Sequence, residues 1–158
     1  MVTPAPAELR IETDSPEMTM ALAARLAAVA EAGDLVCLWG ELGAGKTVFA
    51  KGFGSGLGIE ATINSPSFVL MSEYAGRLPL FHLDLYRLAG PADVVAGGLL
   101  DERQAAGVTL IEWPERLEPL VPSPRLDVRI DGAGTDRRSI SIHAVGSGPE
   151  RYLRAAAA

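Results

Sequence analysis

One octapeptide constrains this chain more than any other stretch: Gly40-Glu41-Leu42-Gly43-Ala44-Gly45-Lys46-Thr47. It meets the pattern G-x-x-x-x-G-K-[ST] through Gly40, Gly45, Lys46 and Thr47. Glycines at those places let the backbone curl until successive N–H groups point inward at phosphate oxygens. Lys46 then reaches the β- and γ-phosphates as a point charge, and the Thr47 hydroxyl goes to Mg²⁺. The flanks agree with that reading. Leu35-Val36-Cys37-Leu38-Trp39 is an unbroken apolar run, the mark of a strand buried on both faces. After the loop, the pattern predicts a helix running to about Gly52–Gly56, whose dipole adds positive potential at its start. Strand, glycine loop and helix together predict a P-loop in an α/β domain. The glycine spacing and the lysine do not fit a dinucleotide fingerprint.

Composition supports an ordinary globular domain. The chain has 158 residues, 48% of them hydrophobic and 22% charged, enough for a packed core and too apolar for disorder. Only two lysines, Lys46 and Lys51, stand against twelve arginines, so a lysine inside the glycine loop is informative. The net charge of −6 argues against a dedicated nucleic-acid binder, which shows a basic stripe. One cysteine, Cys37, rules out an internal disulfide and reads as a small buried hydrophobe. One cysteine and two distant histidines also cannot build a zinc cluster. Residues 1–10 lack the apolar core of a secretory signal. No apolar run reaches the ~18 residues of a membrane span. These features predict a cytosolic protein.

The rest of the chain reads as further elements. Residues 1–8 are expected to be a flexible tail, 9–146 one P-loop domain, and 147–158 a C-terminal tail, helical stub or disordered. Leu9 to Glu12 suits a short strand. Ser15-Pro16-Glu17 starts a helix, with Met18, Leu22, Leu26 and Val29 on one face and Gly33 at its end. Phe68–Tyr74 and Leu80–Tyr86 read as two strands, the second with Phe81, Leu83 and Leu85 facing one way and His82, Asp84 and Tyr86 the other. Pro91–Leu100 suits a short helix, and Val108–Ile111 a strand. Leu126–Ile130 and Ser139–His143 flank a turn and predict a terminal antiparallel hairpin. The expected fold is a central, mostly parallel sheet flanked by helices.

A P-loop needs a carboxylate that holds or orients hydrated Mg²⁺ at the end of a buried strand. Glu112 closes the run Val108–Ile111 and is the preferred candidate; Asp84 is the second, with a solvated strand face as its plainer explanation. Ser65 and Ser67 flank Pro66. A hydroxyl there could sense a γ-phosphate, but a simple turn is the better explanation. His82 suits a structural hydrogen bond better than catalysis, and Trp113 suits packing.

Taken together, the blocks GELGAGKT, SPSF, HLDLYRL and IEWPERL, in that order, resemble the TsaE family of bacterial ATPases. The resemblance runs from about Leu9 to Val145, and Leu120-Val121-Pro122 also fits it. It implies a role in making threonylcarbamoyladenosine in tRNA beside the anticodon. It further implies a TsaD–TsaB pair as partner, with tRNA engaged only through that complex, and ATP or ADP with Mg²⁺ as ligands. By position, Lys46 becomes the phosphate lysine, and Thr47 and Glu112 the Mg²⁺-linked residues. Asp84 is expected to serve hydrolysis, so Lys46, Asp84 and Glu112 form the expected catalytic set. The nucleotide would be held by residues 40–47 with Val48, by Ser67, which stands where the family usually has threonine, and by Arg137 near the base. Glu41 replaces a commoner aspartate at a place that mainly offers backbone.

Three other functions are weaker on the sequence. A small-molecule kinase would usually carry an arginine-bearing lid; Arg77 and Arg87 are available, but no insertion is long enough. A GTPase would need N-K-x-D, and the single asparagine, Asn64, is not in that context. A nucleotide-sensing adaptor would keep the loop without turnover.

Overall fold

The structure, a computed structural model, describes residues 8–41, 43–64, 70–96, 100–132 and 135–158. Seven strands form one mixed sheet: β1 (Glu8–Thr13), β2 (Leu35–Trp39), β3 (Met71–Tyr74), β4 (Leu80–Asp84), β5 (Val108–Glu112), β6 (Arg125–Asp131) and β7 (Arg138–Val145). Their order across the sheet is β1-β7-β6-β2-β5-β4-β3. The four central strands, β6-β2-β5-β4, run parallel. The outer pairings β1–β7, β7–β6 and β4–β3 are antiparallel. The parallel core and the antiparallel β6–β7 pair match the sequence expectation, and the antiparallel pairings at both edges make the sheet more evenly mixed than expected.

Helices cover both faces. On one face lie α1 (Pro16–Ala27) and α2 (Lys46–Gly56), packed against each other, with α4 (Glu150–Ala157) beside α1. The core here joins Leu22, Leu26, Phe49 and Phe53 of the helices to Val36, Leu38, Leu110 and Val128 of the sheet. On the other face, α3 (Pro91–Ala96) and a short 3-10 turn at Pro114–Leu117 close a smaller core around Cys37, Phe81, Leu83 and Ile111. Alternate residues of β2 thus enter different cores. That accounts for its unbroken apolar run. No helix among the described residues is long and apolar enough to cross a membrane.

Several local expectations shift. Ser15 does cap α1, its Oγ accepting from the Met18 N–H at 3.2 Å. The buried face of the helix, however, is Thr19, Leu22, Ala23, Leu26 and Ala27, and Met18 is exposed. The helix stops at Ala27, before Gly33. Gly33 instead takes φ 91° and donates its N–H to the Gly107 carbonyl. Phe81 and Leu83 of β4 and Leu85 just after it share one core as the alternation predicts, but exposure does not alternate: Leu80 to Leu83 are all buried, because both faces of the sheet are covered. Arg77 donates to the Ala27 and Ala30 carbonyls, where its charge satisfies the C-terminal end of α1 rather than serving a lid. Of the two alternatives left open for the C-terminus, the helical one holds: residues 150–157 form α4. Tyr152, Leu153 and Ala156 of α4 are buried, so the folded unit extends past residue 146. Residues 1–7, Phe68 and the two serines of the SPSF block lie outside the described residues.

Candidate functional site

Strands β2, β4 and β5 end at the same edge of the sheet. In open α/β sheets the C-terminal edge of parallel strands is where ligands bind. Three backbone features shape the loop after β2. Gly40, Gly43 and Gly45 all take positive φ (149°, 78° and 106°), a region that side chains disfavour. A Cβ on Gly40 would stand 2.5 Å from the Ile130 carbonyl oxygen of β6, so the loop can leave the sheet there only as glycine. Gly45 caps α2 without any side-chain hydrogen bond. The first amides of α2 are therefore not claimed by a capping side chain.

Lys46 opens α2 and is 6% exposed. Its Nζ donates to the Gly40 carbonyl at 2.8 Å and sits 3.7 Å from the centre of the Trp113 ring. Burial lowers its pKa; the charges of Glu112, Glu115, Asp84 and Glu41 oppose that shift. Trp113 reaches this place through a left-handed backbone, φ 60° and ψ 50°, a costly conformation for a bulky residue of the kind that collects at functional sites. Its other neighbour is Tyr86, with ring centres 4.8 Å apart.

The two carboxylates predicted from sequence are cross-strand partners: Asp84 ends β4 directly opposite Glu112, which ends β5. Asp84 is half-buried, and its Oδ1 accepts from the Tyr86 N–H at 3.0 Å, which fixes the turn leaving the strand. Glu112 is 3% exposed, and its Oε2 lies 2.7 Å from Nε2 of His82. A cleft of about 360 Å³ is lined by Gly43, Gly45, Lys46, Thr47, Val48, Asp84, Glu112, Trp113 and Arg138. Seven of the residues expected to bind nucleotide or metal, or to act in catalysis, therefore share one cavity: Gly43, Gly45, Lys46, Thr47, Val48, Asp84 and Glu112. Glu41 is exposed and accepts the Ala44 N–H through its carbonyl, and Ala44 is buried. Leu42 and Ser67 lie outside the described residues.

Arg137 does not reach the cleft. It is exposed and pairs with Asp14 at 3.4 Å. Its neighbour Arg138 is the residue that turns in. The Arg138 Nε donates to the Ala44 carbonyl at 2.7 Å, a second nitrogen lies 3.4 Å from the Gly43 carbonyl, and a third serves the carbonyls of Thr135 and Arg137. Arg138 opens β7 and Arg137 precedes it, and the sequence carried no signal that separates the two.

A glycine loop leaving the central strand, a lysine at the start of the next helix and acids on neighbouring strand ends define this chain as a P-loop α/β domain. The family model described as "Threonylcarbamoyl adenosine biosynthesis protein TsaE" matches residues 13–140. The tRNA threonylcarbamoyladenosine biosynthesis protein TsaE of Bacillus subtilis is 44% identical over 141 residues, covering 89% of this chain and 88% of that protein. The protein of the same name from Streptomyces coelicolor is 39% identical, covering 85% and 93%. The crystal structure of Bacillus subtilis YdiB superposes with a TM-score of 0.77 at 40% identity, over 95% of this chain and 94% of that one. The chain belongs to the TsaE family.

Proposed function

We propose that the chain is a Mg²⁺-dependent, ATP-binding and ATP-hydrolysing subunit for threonylcarbamoyladenosine modification of tRNA, acting in the cytoplasm with a TsaD–TsaB pair. The observation that carries this reading is a single cleft where a phosphate-shaped loop and its lysine meet a hydroxyl and two carboxylates. The donor set suits Mg²⁺. Thr47 and Glu112 offer hard oxygen atoms, and no group of three or more His, Cys, Asp or Glu side chains forms a metal cage among the described residues. Mg²⁺ usually keeps several waters and takes its remaining ligands from one or two protein oxygens and the phosphates. When bound, the ion offsets charge on the β- and γ-phosphate oxygens.

The chain's own residues supply the rest. The loop amides and the start of α2 bind phosphate oxygens. Lys46 brings a positive charge that now rests on the Gly40 carbonyl and the Trp113 ring. Asp84, which lines the cleft, orients the attacking water and takes up its proton. Water then bonds to the γ-phosphorus, the bond to the ADP oxygen breaks, and ADP and phosphate leave. With a net charge of −6, the chain is a poor platform for tRNA, which the partners would hold.

The test is Mg²⁺-dependent phosphate release from ATP by the purified chain, alone and with a TsaD–TsaB pair, with Lys46→Ala as the blank. Weak release that rises with the pair is expected. Release that the pair leaves unchanged would overturn the partnership, and no release in either setting would overturn the ATPase reading.

A further inference from the structure

His82 lies on β4 two residues before Asp84 and is fully buried. One ring nitrogen, Nε2, is 2.7 Å from Oε2 of Glu112. The other, Nδ1, is buried and has no hydrogen-bond partner. That asymmetry decides where the ring proton sits. A proton on Nδ1 would orphan a buried N–H, among the rarest and costliest defects in a folded protein. A proton on Nε2 is donated to Glu112 and leaves only a lone pair unsatisfied.

A leucine at this place would satisfy the core more cheaply, since Leu80 and Leu83 of the same strand are buried apolar residues. What the ring adds is a fixed donor behind the carboxylate. We infer that His82 is a positioning residue for Glu112. Donating from Nε2, the ring commits Oε2 and leaves the other carboxylate oxygen to serve the cleft that Glu112 lines. Carboxylates that bind metals are commonly held in this way by an outer hydrogen bond. The inference rests on the Mg²⁺-linked role proposed for Glu112.

Two measurements on the full chain test it. The sequence holds only two histidines, and the second, His143, is exposed on β7. In a His143→Gln background, the imidazole ¹⁵N spectrum of the nucleotide-free protein should show Nε2 carrying a proton; a ring with its proton on Nδ1 alone would overturn the inference. The second measurement is calorimetric titration of Mg²⁺ into the ADP complex. His82→Gln keeps a donor near the Nε2 position and should bind Mg²⁺ within about threefold of the parent, whereas His82→Leu should weaken it about 10–100-fold. ADP affinity without Mg²⁺ should not change. If His82→Leu overlays the parent while Glu112→Gln is shifted, the positioning role is lost and the metal assignment stands. If neither is shifted, Glu112 leaves the metal shell and the functional reading falls with it. Should His82→Leu fail to fold, His82→Asn, whose amide is too short to reach Glu112, replaces it; equal titrations for the Asn and Gln variants would overturn the inference.

Discussion

The ammonium of Lys46 is held at a cost. It is buried, and burial is the largest influence lowering its pKa from the ordinary value of 10.5. A lysine whose pKa falls on folding binds fewer protons in the folded chain, so stability rises with pH between the lowered value and 10.5 and is least below that window. Wherever Lys46 is charged in the nucleotide-free protein, burial penalises the folded state. Lys46→Met removes the charge and keeps most of the side-chain volume. It is expected to raise the melting temperature at pH 7, by about 2–4 °C for each kcal/mol of penalty relieved in a chain of this size, while abolishing phosphate release. A lower melting temperature would mean that the Gly40 hydrogen bond and the Trp113 ring outweigh desolvation. Lys46 was legible in the sequence because its motif is local, eight residues long. The facing ring was not: Trp113 lies far along the chain and reaches the lysine through a left-handed backbone that no pattern of residue types announces.

Between elements, close approach matters more than local preference. Glycines at 52, 54 and 56 read as the end of a helix, and α2 does end at Gly56. They serve packing: a Cβ on Gly52 would lie 2.4 Å from the Met20 carbonyl oxygen of α1, and one on Gly56 2.5 Å from that of Ala24. Gly52→Ala should therefore destabilise by roughly 1–3 kcal/mol through overpacking, despite the ~1 kcal/mol that alanine gains over glycine in a helix. Urea denaturation checks the sign, and a stabilised variant would show that α1 and α2 can move apart. The clasp between β7 and the glycine loop is a second such link. Arg138→Ala removes charge-assisted hydrogen bonds to the Ala44 and Gly43 carbonyls, worth roughly 1.5–3 kcal/mol for a well-formed bond to a charged group and less here because the side chain is partly exposed. ADP affinity should fall by about 3–10-fold if ~1 kcal/mol of loop order is lost, and Arg138→Lys should not restore it, since an ammonium lacks the guanidinium fork. Calorimetric titration of both variants decides, and full affinity in the lysine variant would reduce the clasp to a simple charge.

Across the whole molecule, the strand ends that build the site depend on a sheet held from both sides, and α4 is part of that support. Hydrophobic periodicity over the last eight residues is diluted by a run of alanines, so the sequence suggests a stub. The structure shows why it folds: Arg151 donates to the Val29 carbonyl at 2.9 Å and to the Asp34 carboxylate, which also accepts from the Tyr152 hydroxyl. Desolvation and that carboxylate push the tyrosine pKa upward. These bonds tie α4 to the turn between α1 and β2, the strand that delivers the glycine loop. None of them was legible beforehand, because each joins groups more than a hundred residues apart. Burial of Tyr152 and Leu153, at about 1.5–3 kcal/mol each, sets the scale. Removing residues 147–158 should destabilise the chain by roughly 3–5 kcal/mol, whereas Tyr152→Phe, which loses the hydroxyl alone, should cost about 1 kcal/mol. If α4 acts only through stability, ADP affinity of the truncated chain, measured by calorimetry well below its melting temperature, stays within about twofold of the parent, since no residue of α4 lines the cleft. A larger loss of affinity in the fully folded truncated chain would instead place α4 in the path that sets the geometry of the loop after β2.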